Sequence, residues 1–366
     1  MRRRGSGPAF PGTGAKPPPD TSHNRSGPLN HPVITVFGGS GFLGRHLVKR
    51  LADAGRRVRV AVRDVEAANF LKVDGDVGQV VPWPADITNP TQVAAAVEGA
   101  DQVVNLVGIL YERGRRTFQR IHVEGAANVA AAAAVAGVRA LVHVSALGAD
   151  EESPALYGRT KAAGEAVVRQ ALPAAAIIRP SVVFGPEDNF FNLFAVLSRL
   201  TPVLPVFGCP LWPRITLFPE GGLVDIDLYG DGGTKFQPVY VGDVAEAMMR
   251  ILARPGDCAS KTYELGGPAV YSFKEIMELL LSEIGRKRFL APMPFGLAKI
   301  YAWFLEFWPQ PILTRDQVSL LMRDNVVTPG ADGFGDLGID PVTAESILPT
   351  YLSRFRVAGR QGYTPA

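Results

Sequence analysis

Residues 33–64 read VITVFGGSGFLGRHLVKRLADAGRRVRVAVRD, and this stretch decides the fold. Val33–Phe37 is a short apolar run, as a strand buried on both faces requires. It breaks at Gly38-Gly39-Ser40-Gly41-Phe42-Leu43-Gly44; a helical pattern then runs to about Ala54 and closes at Gly55. Gly38 permits a tight turn, Gly41 lets backbone approach a pyrophosphate, and Gly44 lets the helix pack closely on its strand. The helix start offers unpaired N–H groups and a partial positive charge to phosphate oxygens. A glycine triplet alone is weak evidence. A strand before it, a helix after it and a second strand at Arg57–Val62 supply the context that makes these residues a dinucleotide cradle.

The end of the second strand selects the dinucleotide. An acid there grips the ribose 2′-hydroxyl of NAD(H), and an arginine accommodates the 2′-phosphate of NADP(H). Arg63 and Asp64 both stand there, and successive strand residues face opposite ways. Arg63 is taken as the ribose-facing residue, which favours NADP(H); Asp64 keeps NAD(H) open.

The alternation continues. Val80–Trp83 is a third strand, followed by Asp86 and Ile87 beside the adenine. Val103–Val107 is a fourth, ending at Val107 and Gly108, and a helix follows at Val123–Ala136. A fifth strand ends at Ser145, and a sixth carries Pro180 in AAIIRPSVVFG. Strands and helices alternating at this spacing predict an α/β protein with a Rossmann-type, doubly wound parallel sheet and a smaller mixed C-terminal lobe. The expected division is a tail over 1–30, a dinucleotide-binding domain over 31–183 with a return segment over 235–254, a small lobe over 184–234 and 255–345, and a basic tail over 346–366. Within that lobe Ser272 and Glu275 fit a capping box for a helix over Tyr271–Gly285, and Asp243 fits a cap for the helix after FQPVYVGDV.

Ser145, Tyr157 and Lys161 form the candidate catalytic set. Tyr157 and Lys161 are four residues apart in a helical pattern, so both lie on one face. A lysine one turn from a tyrosine is expected to lower the phenol pKa and to reach the nicotinamide ribose. A serine at the preceding strand end would orient a carbonyl for proton transfer.

Together GGSGFLG, HVSALGA, YGRTKAAGE, RPSVVFGPEDNFFNLFA, FQPVYVGDV, LTRDQV and DLGI resemble the extended or atypical short-chain dehydrogenase/reductase family. Within it they look like the branch that serves as the dinucleotide-binding accessory subunit of respiratory complex I, NADH:ubiquinone oxidoreductase. The resemblance runs from about Val33 to Ile339. It implies a tightly held, structural NADPH contacted by Gly38, Gly41, Gly44, Arg63, Asp86 and Lys161, with Ser145 and Tyr157 vestigial or in contact with cofactor. It implies other complex I subunits as partners and a peripheral seat at the membrane surface. Two departures stand out: His122 where such proteins often carry asparagine, read as structural, and an insertion over Cys209–Tyr229, read as a solvated hairpin.

A net charge of +3 and the lack of a basic stripe interleaved with aromatics argue against nucleic acid. Cys209 and Cys258 are too far apart in sequence to suggest a metal site. No apolar run is long enough for a bilayer span. The first thirty residues, rich in Pro, Gly and Arg with Asp20 their only acid, are expected to be disordered. The Phe289–Ile312 stretch, with Trp303, Phe304, Phe307 and Trp308, is either a core helix or an interface. Arginines over 113–120 face acidic partners, lipid headgroups or plain solvent. The composition suggests a GC-rich bacterial genome, which places the chain at the cytoplasmic face of an inner membrane, or at the matrix side if the source is eukaryotic. A free NADP-dependent reductase or sugar-nucleotide epimerase is the alternative.

Overall fold

The computed structural model describes residues 32–210, 214–217 and 224–356. The expected disordered tail over 1–30 lies outside them, as do residues 357–366. Seven strands form one sheet: β1 (Val33–Phe37), β2 (Arg57–Val62), β3 (Val80–Pro84), β4 (Ala100–Asn105), β5 (Ala140–Val144), β6 (Ala176–Pro180) and β7 (Thr262–Leu265). Their order is β7-β6-β5-β4-β1-β2-β3, and every pairing is parallel. The order reverses between β1 and β4, and the crevice at such a switch point is where these sheets take ligands.

Helices α1 (Phe42–Asp53), α2 (Pro90–Val97), α3 (Gly125–Val135) and α4 (Leu156–Ala171) flank the sheet. Apolar side chains on both faces of the sheet are buried, Val36, Val60, Val104 and Ile178 against one helical layer and Val103 and Leu141 against the other. This is why β1, VITVF, reads as a nearly continuous apolar run rather than alternating.

The small lobe has its own core. Helix α5 (Phe191–Leu200) and the strand Val203–Phe207, paired in parallel with Phe289–Met293, close over α7 (Phe273–Ile284). Between them runs α6 (Val241–Ala253), which packs back on the main sheet beside α1. The Ser272–Glu275 capping box of α7 is present, with Ser272 N–H to Glu275 Oε2 at 2.7 Å. Residues 214–217 and 224–227 pair antiparallel, which is the hairpin expected of the insertion.

Three expectations are corrected. Residues 262–265 are β7 of the main sheet rather than part of the small lobe. Asp243 does not cap α6; its carboxylate accepts the Val342 N–H at 2.8 Å. The stretch from 346 is no tail up to Arg356: Ala344–Leu352 is a helix that buries Leu348, Tyr351 and Leu352 in the small-lobe core, and Phe355 follows them.

Candidate functional site

The glycine turn has the predicted geometry. Gly38 sits at φ +78°, a conformation only glycine adopts without strain. A Cβ on Gly44 would stand 2.4 Å from the Gly38 carbonyl oxygen, so only glycine lets α1 start there. No side chain caps α1 and its first turn holds no acid, which leaves its positive end for an anion. Phe42 packs its ring against Gly185 and His46, and Leu43 leans on the core, so only their backbone is left to face a phosphate.

Gly38, Val107, Gly108 and Lys161 lie together. Val107 Cγ2 lies 3.2 Å from where a Gly38 Cβ would be, and Lys161 Nζ lies 3.2 Å from the equivalent point on Gly108. Lys161 is buried and donates to the Val144 carbonyl at 3.2 Å, one residue before Ser145. Pro180 ends β6 and takes the Leu147 N–H at 3.1 Å. Ser145 Oγ is buried without a hydrogen-bond partner. A buried hydroxyl left unpaired is costly, and a polar group of a bound ligand would satisfy it. The uncapped helix, the glycine cradle and this orphaned hydroxyl fit a dinucleotide lying across β1 and β4.

Burial sets the acid–base character. It pulls the Lys161 ammonium down to about 8, against the Glu165 charge. It pushes the Tyr157 phenol up to about 12, so the expected lowering by Lys161 does not occur: the Nζ stands 5.9 Å from the ring centre. Tyr157 is a proton-bearing hydrogen-bond donor at neutral pH.

His122 is the structural histidine that was expected. Its Nε2 accepts the Ile109 N–H at 3.1 Å, so Nδ1 carries the proton and donates to Thr160 Oγ1, also at 3.1 Å; Thr160 in turn donates to the Tyr157 carbonyl. Burial, reinforced by the Lys161 charge, drives its pKa down to about 2. It sits in a π-helical turn, Gln119–Glu124, a form that often accompanies functional sites. His143, hydrogen-bonded to Asn105, is driven to about 3 for the same reasons.

The adenosine end holds Arg63 and Asp86. Asp64 Oδ1 accepts the Ala67 N–H at 2.9 Å, a local turn. Burial raises the Asp86 pKa, but two Thr88 hydrogen bonds and the Arg63 and Arg120 charges outweigh it and leave the carboxyl lowered. Arg116 feels both Arg63 and Asp86, so the basic loop turns toward this end of the site. Sequence reasoning did not place Arg116 or Arg120 here; nothing in their spacing marks them.

Residues 34–266 match the NAD dependent epimerase/dehydratase family. The chain belongs to this family. Among its relatives, the Arabidopsis thaliana protein named NADH dehydrogenase [ubiquinone] 1 alpha subcomplex subunit 9, mitochondrial, is 35% identical, covering 89% of this chain and 79% of that one. The Neurospora crassa NADH-ubiquinone oxidoreductase 40 kDa subunit is 33% identical over 91% of this chain and 82% of its own. Thermus thermophilus UDP-glucose 4-epimerase, solved with NAD, shares the fold at TM-score 0.60 and 22% identity, over 89% of this chain and 99% of that one. The family's NAD dependence implies a nicotinamide dinucleotide as cofactor, and the glycine cradle has the geometry such a site requires. No group of metal-ligating side chains occurs among the described residues.

Proposed function

We propose that this chain is an accessory subunit of respiratory complex I that holds NADP(H) as a structural cofactor. The observation that carries the reading is the similarity along nine-tenths of the chain to proteins named as subunits of that complex. Gly38, Gly39, Ser40, Gly41 and the backbone of Phe42 and Leu43, ahead of Gly44, would hold the pyrophosphate. Arg63 would take the 2′-phosphate, with Asp86 and Ile87 beside the adenine and Val107, Gly108, Lys161 and Pro180 along the nicotinamide half. Asp64, already engaged in its own turn, supports NADP(H) over NAD(H). Tyr157 and Ser145 are hydrogen-bonding groups here: a phenol held near 12 is a poor base at pH 7. Binding the cofactor stabilises the folded lobes by mass action and keeps the docking surfaces in shape.

No helix of the described residues is long and apolar enough to cross a membrane. The reading places the subunit on the peripheral arm, at the cytoplasmic face of a bacterial inner membrane, held by neighbouring subunits. The test is a native gel of gently solubilised membranes, probed for this chain and stained for NADH dehydrogenase activity. Co-migration with the large active band is expected; migration only as a small free species would sink the reading.

The buried, partnerless Ser145 hydroxyl beside Lys161 favours a second reading, a free NADP-dependent reductase or epimerase. A bound nicotinamide would supply or accept hydride, while Tyr157 handled the proton and Ser145 oriented the carbonyl. NADPH oxidation with a panel of carbonyl compounds, abolished in Tyr157→Phe, would establish it.

A further inference from the structure

We propose that Asp316 is a positioning residue for the nicotinamide half of the cofactor site: its carboxylate, supplied from the small lobe, caps the helix that carries Tyr157 and Lys161. The inference rests on the reading that the crevice holds a nicotinamide dinucleotide.

Helix α4 begins without a cap of its own. Its N-cap residue is Ala155, whose side chain offers no acceptor, and no acid lies in its first turn. The carboxylate of Asp316 takes that place. Its Oδ1 accepts the Leu156 N–H at 2.6 Å and its Oδ2 accepts the Tyr157 N–H at 3.0 Å. An anion at this position satisfies two of the orphan donors and meets the positive end of the helix dipole.

Asp316 is held firmly enough to do this. It lies in the first turn of α9 (Arg315–Leu320), whose start is fixed by a capping box between Thr314 and Gln317. The carboxylate therefore faces the N-termini of two helices. On one side Arg315 pairs with Glu306 at 2.9 Å, at the end of α8 (Phe295–Leu305). On the other, Arg323 pairs with Asp150 and donates to the Glu152 carbonyl at 3.3 Å. Asn325 then receives Ser181 Oγ at 2.7 Å and the Val182 N–H at 3.2 Å through its side chain, while its backbone bonds to Lys235 and Gln237. Residues 314–325 thus form a strap fastened to both lobes, and it hydrogen-bonds α4 at Leu156, the residue before Tyr157, and at Tyr157 itself.

Loss of the cap frays the first turn of α4. Tyr157 is in that turn and Lys161 is one turn further on, so the nicotinamide ribose loses its partners first. The adenosine half, held by Gly38–Gly44, Arg63 and Asp86 on other elements, keeps its own. A merely structural aspartate would weaken both halves alike, which separates the two roles.

The full chain, stripped of nucleotide, is titrated with NADPH and with 2′,5′-ADP, which carries the adenosine half alone. In Asp316→Ala the NADPH Kd should rise about tenfold while that of 2′,5′-ADP stays within about twofold. Asp316→Asn keeps one acceptor and loses the charge, so its NADPH Kd should fall between; it also carries the comparison if the alanine variant does not fold. Equal weakening of both probes, or unchanged NADPH binding in both variants, would overturn the role of Asp316 and leave the cofactor reading standing. A wild-type chain that binds neither probe would overturn the cofactor reading, and this inference with it.

Discussion

His122 shows how one side chain can look functional in sequence and be fixed by its surroundings. Both ring nitrogens are engaged and the imidazole is buried, so it stays neutral far below its ordinary range. This has a consequence for stability. In the unfolded chain an imidazole binds a proton below about 6.5; in the fold, His122 does so only near 2 and His143 only near 3. Below pH 6.5 the unfolded chain therefore holds more protons, and stability falls as the pH drops from 6.5 toward those values. His122→Gln keeps an acceptor for Ile109 and a donor for Thr160 but does not titrate. Denaturant unfolding of the ligand-free chain between pH 7 and 4 should show a shallower loss in this variant than in the wild type; parallel curves would refute the assignment. The structural role of this histidine was legible only as an expectation, because its partner Thr160 lies 38 residues away.

At the level of elements, what could be read from sequence was whatever is local. The strand, glycine turn, helix and second strand of 33–62 depend on neighbours along the chain, and each of them formed as expected. The α7 capping box is local too. The seventh strand and the Asp316 cap are not, since their partners lie 85 to 160 residues away. The C-terminal helix had a signal that went unread. Leu348, Tyr351, Leu352 and Phe355 follow helical spacing, but Pro349 and the basic residues around them masked it. Its anchor is Tyr351, whose hydroxyl donates to Asp188 Oδ2 at 2.7 Å inside the core. Asp188 also takes the N–H groups of Gly185, Phe190 and Asn192, so the helix is tied to the chain leaving the main sheet. Tyr351→Phe removes one donor from a buried carboxyl and should cost about 1–3 kcal/mol, read as a lower denaturant midpoint at unchanged slope. A change below a few tenths would mean that water replaces the phenol there.

For the whole molecule, the telling feature is where apolar surface is left bare. Trp303, Phe304, Phe307 and Trp308 are exposed, Phe307 by 74% and Trp308 by 72%, so the core-helix reading does not hold for these four side chains. Trp303 contacts Phe304 and Phe307 edge-on, which makes one aromatic patch at the end of α8. Contiguous exposed aromatic surface, outside the buried clusters of the chain, is a candidate face for another surface to cover. In the complex-subunit reading the cover is a neighbouring subunit. The patch and the cofactor crevice touch through the strap but use different residues, so they can be separated experimentally. A chain with Phe307→Asp and Trp308→Asp should bind NADPH with the wild-type Kd and keep its thermal midpoint, because neither side chain has much buried area to lose. On the native gel it should leave the large active band and run as a small free species. If the double variant stays with the complex, the patch is bystander surface and another face carries the docking. If it loses NADPH as well, the aromatic end of α8 is part of the fold rather than a surface laid over it.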